Sequence, residues 1–326
     1  MQENWQSLLK EVITSPAELL EALALSPDLL FQAEQSAKLF PLRVPRGFVS
    51  RMQKGNPHDP LLQQILPIAE EGVVRPGFTL DPLNEKSANP LPGLLHKYQG
   101  RVLLTLAGAC AVNCRYCFRR HFPYQENIPG GKAWKNILDY IATDSTIYEV
   151  ILSGGDPLLA HDKHLFKCIS KLATINHLKV LRIHSRLPIV LPQRITPELI
   201  TALTATSLRP VMVLHCNHAN ELNSSVANAI DQLRDAKITV LNQSVLLKGV
   251  NDSVEALVTL SQRLFEYGIL PYYLHLLDKV QGAAHFEVDV DRAKLLIEAV
   301  REKLAGYLVP RLVKEQSGEK SKLPIF

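Results

Sequence analysis

Three of the chain's five cysteines fall inside one stretch of eight residues, Cys110-Ala-Val-Asn-Cys114-Arg-Tyr-Cys117. Three thiolates from one short loop can ligate three irons of a [4Fe–4S] cube and leave the fourth iron open. Zinc is the rival ion. A structural zinc site takes four ligands, usually as two separated pairs, and His121 is the nearby candidate for the fourth. The other two cysteines have a different setting. Cys168 shares a helical face with Leu165, Ile169 and Leu172, and Cys216 ends an apolar run, so both are expected to pack as small hydrophobes.

The elements that must position this loop follow from the hydrophobic pattern. After Arg101, six short apolar runs recur: VLLTLAG, YEVILSGG, LKVLRIHS, RPVMVLHC, ITVLNQSV and LPYYLHLL. Their near-continuous apolarity suits strands buried on both faces. Amphipathic stretches such as KAWKNILDYIA and VANAIDQLRDA lie between them. Alternating strands and helices with short links mean βα units and a parallel sheet. Six units fit either an open, partial (β/α)6 barrel or a doubly wound sheet. Residues 1–95 read instead as a helical N-terminal region and connector. Its helices begin at Ser-Pro or Asp-Pro, in segments such as SPAELLEALAL and DPLLQQILPIAEE. The expected division is 1–95, a β/α core over 96–305, and a C-terminal segment over 306–326.

Ligands of parallel α/β sheets bind at the carboxyl ends of the strands. The polar residues there are the cysteine loop, Ser153-Gly154-Gly155-Asp156, His184-Ser185-Arg186, His215–His218, Asn242-Gln243 and His275–Asp278. Every strand end carries chemistry, which is an enzyme's pattern. Composition agrees with a soluble cytoplasmic protein of 326 residues: 46% hydrophobic, 21% charged, net charge +4. So small an excess does not call for nucleic acid or a polybasic membrane contact. The apolar runs are too short for a bilayer span, and the first residues lack a secretory pattern.

The C-x3-C-x2-C spacing, with Tyr116 before the last cysteine and a β/α array behind it, resembles the radical S-adenosylmethionine (SAM) superfamily. RVLLTLAGACAVNCRYCFRRHF, ILSGGDPL, LRIHSRLPIVLPQRIT, HCNHANE, LNQSVLLKGVND and PYYLHLLDKVQGAAHF run in order and together resemble the lysine 2,3-aminomutase family across essentially the whole chain. CFRRHFPY, LHKY and YYLHLLDKVQGAAHF look closest to the subgroup that makes (R)-β-lysine for elongation factor P, and the chain stops near the family's cofactor lysine, without the extension of the fermentative enzymes.

This resemblance implies an α/β fold, the partial (β/α)6 barrel, and an isomerase that converts L-lysine to (R)-β-lysine by a 5′-deoxyadenosyl radical. Its cofactors would be a [4Fe–4S] cluster on Cys110, Cys114 and Cys117, SAM, and pyridoxal 5′-phosphate (PLP). Ser153, Gly154, Gly155, Asp156 and Gln243 are the implied SAM contacts, with His215 or Asn217 beside them. Lys322 is the implied PLP lysine, two residues from Lys320, and Arg101 and Lys97 are the implied phosphate cations. Arg119 matches the residue that grips the substrate carboxylate. Asp278 and Glu315 match the pair that holds the ε-ammonium, with Glu315 standing where the classical enzymes have Asp. Implied partners are L-lysine, a flavodoxin or ferredoxin reductant, and a ligase acting on elongation factor P; a homo-oligomer is compatible. A 2,3-aminomutase for another amino acid is the rival within the class. A non-catalytic zinc- or cluster-binding protein is the rival outside it.

Overall fold

The six apolar runs become six parallel strands, each walled on its outer side by the helix that follows it. A computed structural model describes residues 4–326. The strands are β1 (Leu94–Tyr98), β2 (Arg101–Ala107), β3 (Glu149–Gly154), β4 (Val180–Ser185), β5 (Arg209–His215), β6 (Thr239–Val245), β7 (Leu270–His275), β8 (Arg311–Lys314) and β9 (Leu323–Pro324). They form one sheet in sequential order, β1 to β9. β2 through β8 are parallel, while β1 and β9 pair antiparallel at the two ends.

That order decides between the two architectures. A doubly wound sheet reverses its order at a switch point and carries helices on both faces. Here every crossover steps to the next position in one direction; such crossovers are right-handed as a rule, so the helices gather on one face and the sheet curls around the other. The fold is a partial barrel of six βα units, with β8 as a seventh parallel strand.

Local chemistry sets the helices. Thr196, Asn223 and Ser253 cap three of them, accepting from the N–H groups of Leu199, Val226 and Ala256 at 3.1–3.2 Å. Helix Asp162–Leu172 buries Leu165, Cys168, Ile169 and Leu172 against the sheet. Cys168 is 1% exposed and Cys216 is fully buried, so both pack in the core.

The N-terminal helices share that core. Leu19, Phe48, Leu61 and Ile65 belong to the same apolar cluster as Val150, Ile183 and Leu214 of the sheet. One expected helix is much shorter than its pattern. Pro60–Gln63 forms a single turn, capped by Asp59, instead of continuing through residue 71. The Gln64 side chain turns in to Pro60 O and Glu221, and Pro67 cannot continue the helical ladder. Among the described residues, no helix is long and apolar enough to cross a membrane.

Candidate active site

Strand geometry explains why one cavity collects so many polar groups. Side chains alternate faces along a strand, so every second residue of each strand points into the barrel. These are Glu149, Ile151 and Ser153 on β3, Arg182 and His184 on β4, Gln243 and Val245 on β6, and Tyr273 and His275 on β7. They line a cavity of about 490 Å³. All three clustered cysteines, Ser153, Gly154, Gly155, Asp156, Gln243, Arg119, Arg101, Lys97, Asp278, Glu315 and Lys322 line the same space. Residues more than 200 positions apart thus meet in one chamber.

The cysteine loop is pinned from both sides. Gly155 N–H donates to Ala107 O at 2.7 Å and Asp156 N–H to Ala109 O at 2.9 Å. A Cβ on Gly155 would sit 2.4 Å from Ala109 O, and one on Gly154, whose φ is +119°, would sit 2.6 Å from Ala107 O. The glycine pair is therefore required by the close approach of the loop that carries Cys110. Asp156 is held just as closely. Its carboxylate accepts from Ser185 Oγ and from the N–H groups of Leu158, Arg186 and Leu187 at 2.7–3.1 Å. Both oxygens are engaged, so Asp156 braces β3 against β4 at the wall of the chamber. Burial nonetheless pushes its carboxyl above the ordinary range.

On the other side, Arg115 makes a two-pronged ion pair with Glu71, at 2.8 and 2.6 Å, and Arg120 joins the same carboxylate at 2.8 Å. Arg186 donates to Cys114 Sγ and Tyr116 Oη, both at 2.7 Å, and to Gln64 and Glu221. Burial, reinforced by the neighbouring thiols, pushes Cys110 well up and Cys117 up to about 11. Three deprotonated sulfurs in that setting need a bound cation, which is the donor chemistry of an iron–sulfur site. His121 faces elsewhere. Its Nε2 lies 3.2 Å from Gln281 O and it does not line the cavity, so it supplies no fourth zinc ligand.

Unpartnered polar atoms mark where ligands would dock. Gln243 bonds His215 through Nε2 at 2.9 Å, and its Oε1 is buried without a partner, as are Nε2 of His184 and His275. Burial holds all three imidazoles below their ordinary range, His215 at about 3, so they face the cavity neutral. These orphans suit a polar ligand in the chamber.

Lys322 belongs to the chamber and Lys320 is exposed. β9 pairs with β8 at Lys314↔Leu323, and this pairing turns Lys322 inward. Its Nζ lies 2.9 Å from Glu315 Oε2 and 5.7 Å from the Tyr273 ring. Glu315 Oε1 meets Lys97 Nζ at 3.0 Å. Arg101 stacks over Tyr98 at 4.7 Å, giving a cation beside an aromatic wall. Asp278, partly buried at the chamber wall, has its carboxyl pushed up to about 7 by burial and by the charge of Glu315, with Lys322 and Lys97 opposing. The β8–β9 pair brings Glu315, Ser321 and Lys322 to the wall of the chamber.

Glu85, Glu149 and Arg182 were not singled out from sequence. Arg182 and Glu149 pair at 2.6 Å across β3 and β4, toward the amino ends of the strands. Their signal was present in the period-2 alternation of polar residues within apolar runs.

No family model matches the chain. It is 52% identical over 321 residues to the L-lysine 2,3-aminomutase of Haemophilus influenzae, across 98% of this chain and 95% of that protein. The chain belongs to the L-lysine 2,3-aminomutase family. A second family member, the L-lysine 2,3-aminomutase of Escherichia coli, is 50% identical over 324 residues, 99% of this chain and 94% of its own length. Among solved structures, Streptococcus suis SuiB matches with a TM-score of 0.51 at 14% identity, over 67% of this chain and 50% of that one. That likeness concerns the fold alone.

Proposed function

We propose that this chain is an L-lysine 2,3-aminomutase, an isomerase that moves the α-amino group of L-lysine to C3 and yields (R)-β-lysine. The observation that carries the reading is the single chamber shared by Cys110, Cys114, Cys117, Lys322, Arg119, Asp278 and Glu315. Relatives at half identity over nearly the full chain bear that activity in their names.

Cys110, Cys114 and Cys117 would hold a [4Fe–4S] cluster, and Gln243 with the Ser153–Gly155 turn would face SAM. Lys322 would hold the carbonyl of PLP, with Arg101 and Lys97 toward its phosphate. Bound there, the cluster and SAM supply a carbon-centred radical that removes hydrogen, and PLP supplies a π system that spreads unpaired spin.

The chain's own residues bind and orient. Arg119 suits the α-carboxylate, because a guanidinium fork matches a carboxylate's two oxygens. Asp278 and Glu315 suit the ε-ammonium, and two carboxylates at that end disfavour glutamate. Substrate binding displaces the Lys322 ammonium from Glu315 or shares that carboxylate with it. The curled sheet surrounds the chamber, which suits a radical that must be kept from water. No side chain has to act as a general acid or base for the migration.

The wider setting follows the same reading. A flavodoxin or ferredoxin delivers the electron, the compartment is the reducing cytoplasm, and a ligase acting on elongation factor P takes the product. The test is turnover of lysine against ornithine and glutamate by the reconstituted enzyme. Lysine as preferred substrate supports the assignment, and preference for either other amino acid overturns it.

A further inference from the structure

Glu85 comes from the irregular segment ahead of β1, where it opens a single 3-10 turn, Glu85–Ala88. Asp81 Oδ1 accepts from its N–H at 3.0 Å and fixes the turn. The side chain is only 3% exposed and reaches into the chamber. Its Oε2 accepts from Arg119 Nε at 2.7 Å and its Oε1 from Arg119 Nη2 at 2.8 Å. Lys97 Nζ lies 3.0 Å from the same Oε1 and, equally, 3.0 Å from Glu315. Arg119, Glu85, Lys97, Glu315 and Lys322 thus form a line of alternating charge from the cysteine loop to the C-terminal segment.

The contacts divide the Arg119 fork. Glu85 takes the Nε–Nη2 edge at full strength. Nη1 makes only longer contacts, 3.2 Å to Ser153 Oγ and 3.4 Å to Gly154 O. A guanidinium carries five N–H groups in one plane, so the Nη1–Nη2 end remains as a second two-pronged edge. Two cations lie on the one Glu85 carboxylate, so positive charge is left over for an incoming anion. Burial alone would raise Glu85's carboxyl, but Arg119 and Lys97 outweigh it and hold it below the ordinary range. Burial likewise opposes the guanidinium's charge, and Glu85 reverses that effect.

We propose that Glu85 is a positioning residue for the amino-acid substrate: it clamps Arg119 along one edge so that the Nη1–Nη2 end meets the α-carboxylate, and through Lys97 it sets the distance to Glu315. The proposal rests on the reading of Arg119 as the carboxylate-binding residue. It excludes the opposite role, in which Glu85 is a stand-in that the substrate carboxylate must evict.

The experiment uses holoenzyme loaded with cluster, SAM and PLP but left unreduced, so that nothing turns over. Calorimetric titration with L-lysine and with L-lysinamide, which lacks the carboxylate, separates the two ends of the ligand. Glu85→Gln should weaken L-lysine binding about tenfold or more and leave L-lysinamide within about twofold. Glu85→Asp, which keeps the charge, should recover part of the loss. In turnover, KM for lysine should rise while kcat stays within about threefold. Unchanged or tighter lysine binding by Glu85→Gln overturns the proposal, and so does equal weakening of both ligands. If Glu85→Gln does not load its cofactors, the same comparison on Glu85→Asp decides. Failure of the unaltered holoenzyme to bind lysine strikes the functional reading itself and takes this proposal with it.

Discussion

Lys322 Nζ lies 2.9 Å from Glu315 Oε2, seven residues upstream, inside the barrel and not at a free chain end. The contact exists because β8 adds to the parallel sheet beside β7 and β9 folds back on β8. A tail lysine is normally solvated. Here the strand pair converts it into a wall of the chamber.

Replacing Lys322 should therefore differ sharply from replacing Lys320. Lys322→Ala should abolish the visible absorbance of protein-held PLP and cut lysine turnover by about 10³-fold or more. Lys320→Ala, at an exposed position, should leave both within about twofold. Absorbance spectra after desalting, with turnover assays, check the pair. Loss of the signal in Lys320→Ala alone would reverse the assignment.

The five cysteines should divide three and two. Cys114→Ala should lose most bound iron after anaerobic reconstitution, because two thiolates cannot hold the cube as three do. Cys168→Ala should keep its iron and lose only stability, by about 1–2 kcal/mol for a small buried side chain. Iron analysis and denaturant melts read the two effects separately.

Glu71 anchors the cysteine loop to the N-terminal region. It is 3% exposed and is shared by Arg115 and Arg120. Glu71→Gln leaves two guanidinium groups buried without a counter-charge, so stability should fall by about 3–5 kcal/mol. Denaturant unfolding measures that loss. Iron retention should fall alongside it, since both arginines sit in or beside the cysteine loop. A loss below 1 kcal/mol would mean that the N-terminal region is not a structural part of the site.

Asp278 gives the protein a pH signature. Its carboxyl is pushed from 3.8 up to about 7, first by burial and then by Glu315. The folded state therefore binds a proton that the unfolded chain has already released. The resulting stabilisation is complete below about pH 4 and is lost as pH rises through about 7. Asp278→Asn removes this titration, so the Tm of the native protein relative to the variant should fall between pH 4 and 7.5 and level off above. Parallel Tm profiles would contradict the assignment. Taking the difference cancels the buried histidines, whose lowered values act in the opposite sense.

Much of this was legible in the sequence, for identifiable reasons. The six buried strands showed as apolar runs because both of their faces are covered. The C-x3-C-x2-C loop showed because its chemistry is local. β1 and β8 did not, at five and four residues, because strands that short carry too little alternation to stand out. Attention to strand ends found Ser153 and Gln243 but passed over Glu149 and Arg182, which lie at the other end of the same inward face. Glu85 had no local pattern at all. It sits among prolines, and only the fold brings it to Arg119. The structural partners of Gly155 and Asp156, Ala109 and Ser185, had no signal either, because they meet only once the loops are placed.

The central claim is tested most directly by anaerobic reconstitution with iron, sulfide, SAM and PLP, followed by reduction, addition of L-lysine and chiral chromatography of the product. The account predicts (R)-β-lysine as the main product, dependent on both SAM and PLP. Protein that carries its full iron and PLP, cleaves SAM on reduction, and still forms no β-lysine would contradict it.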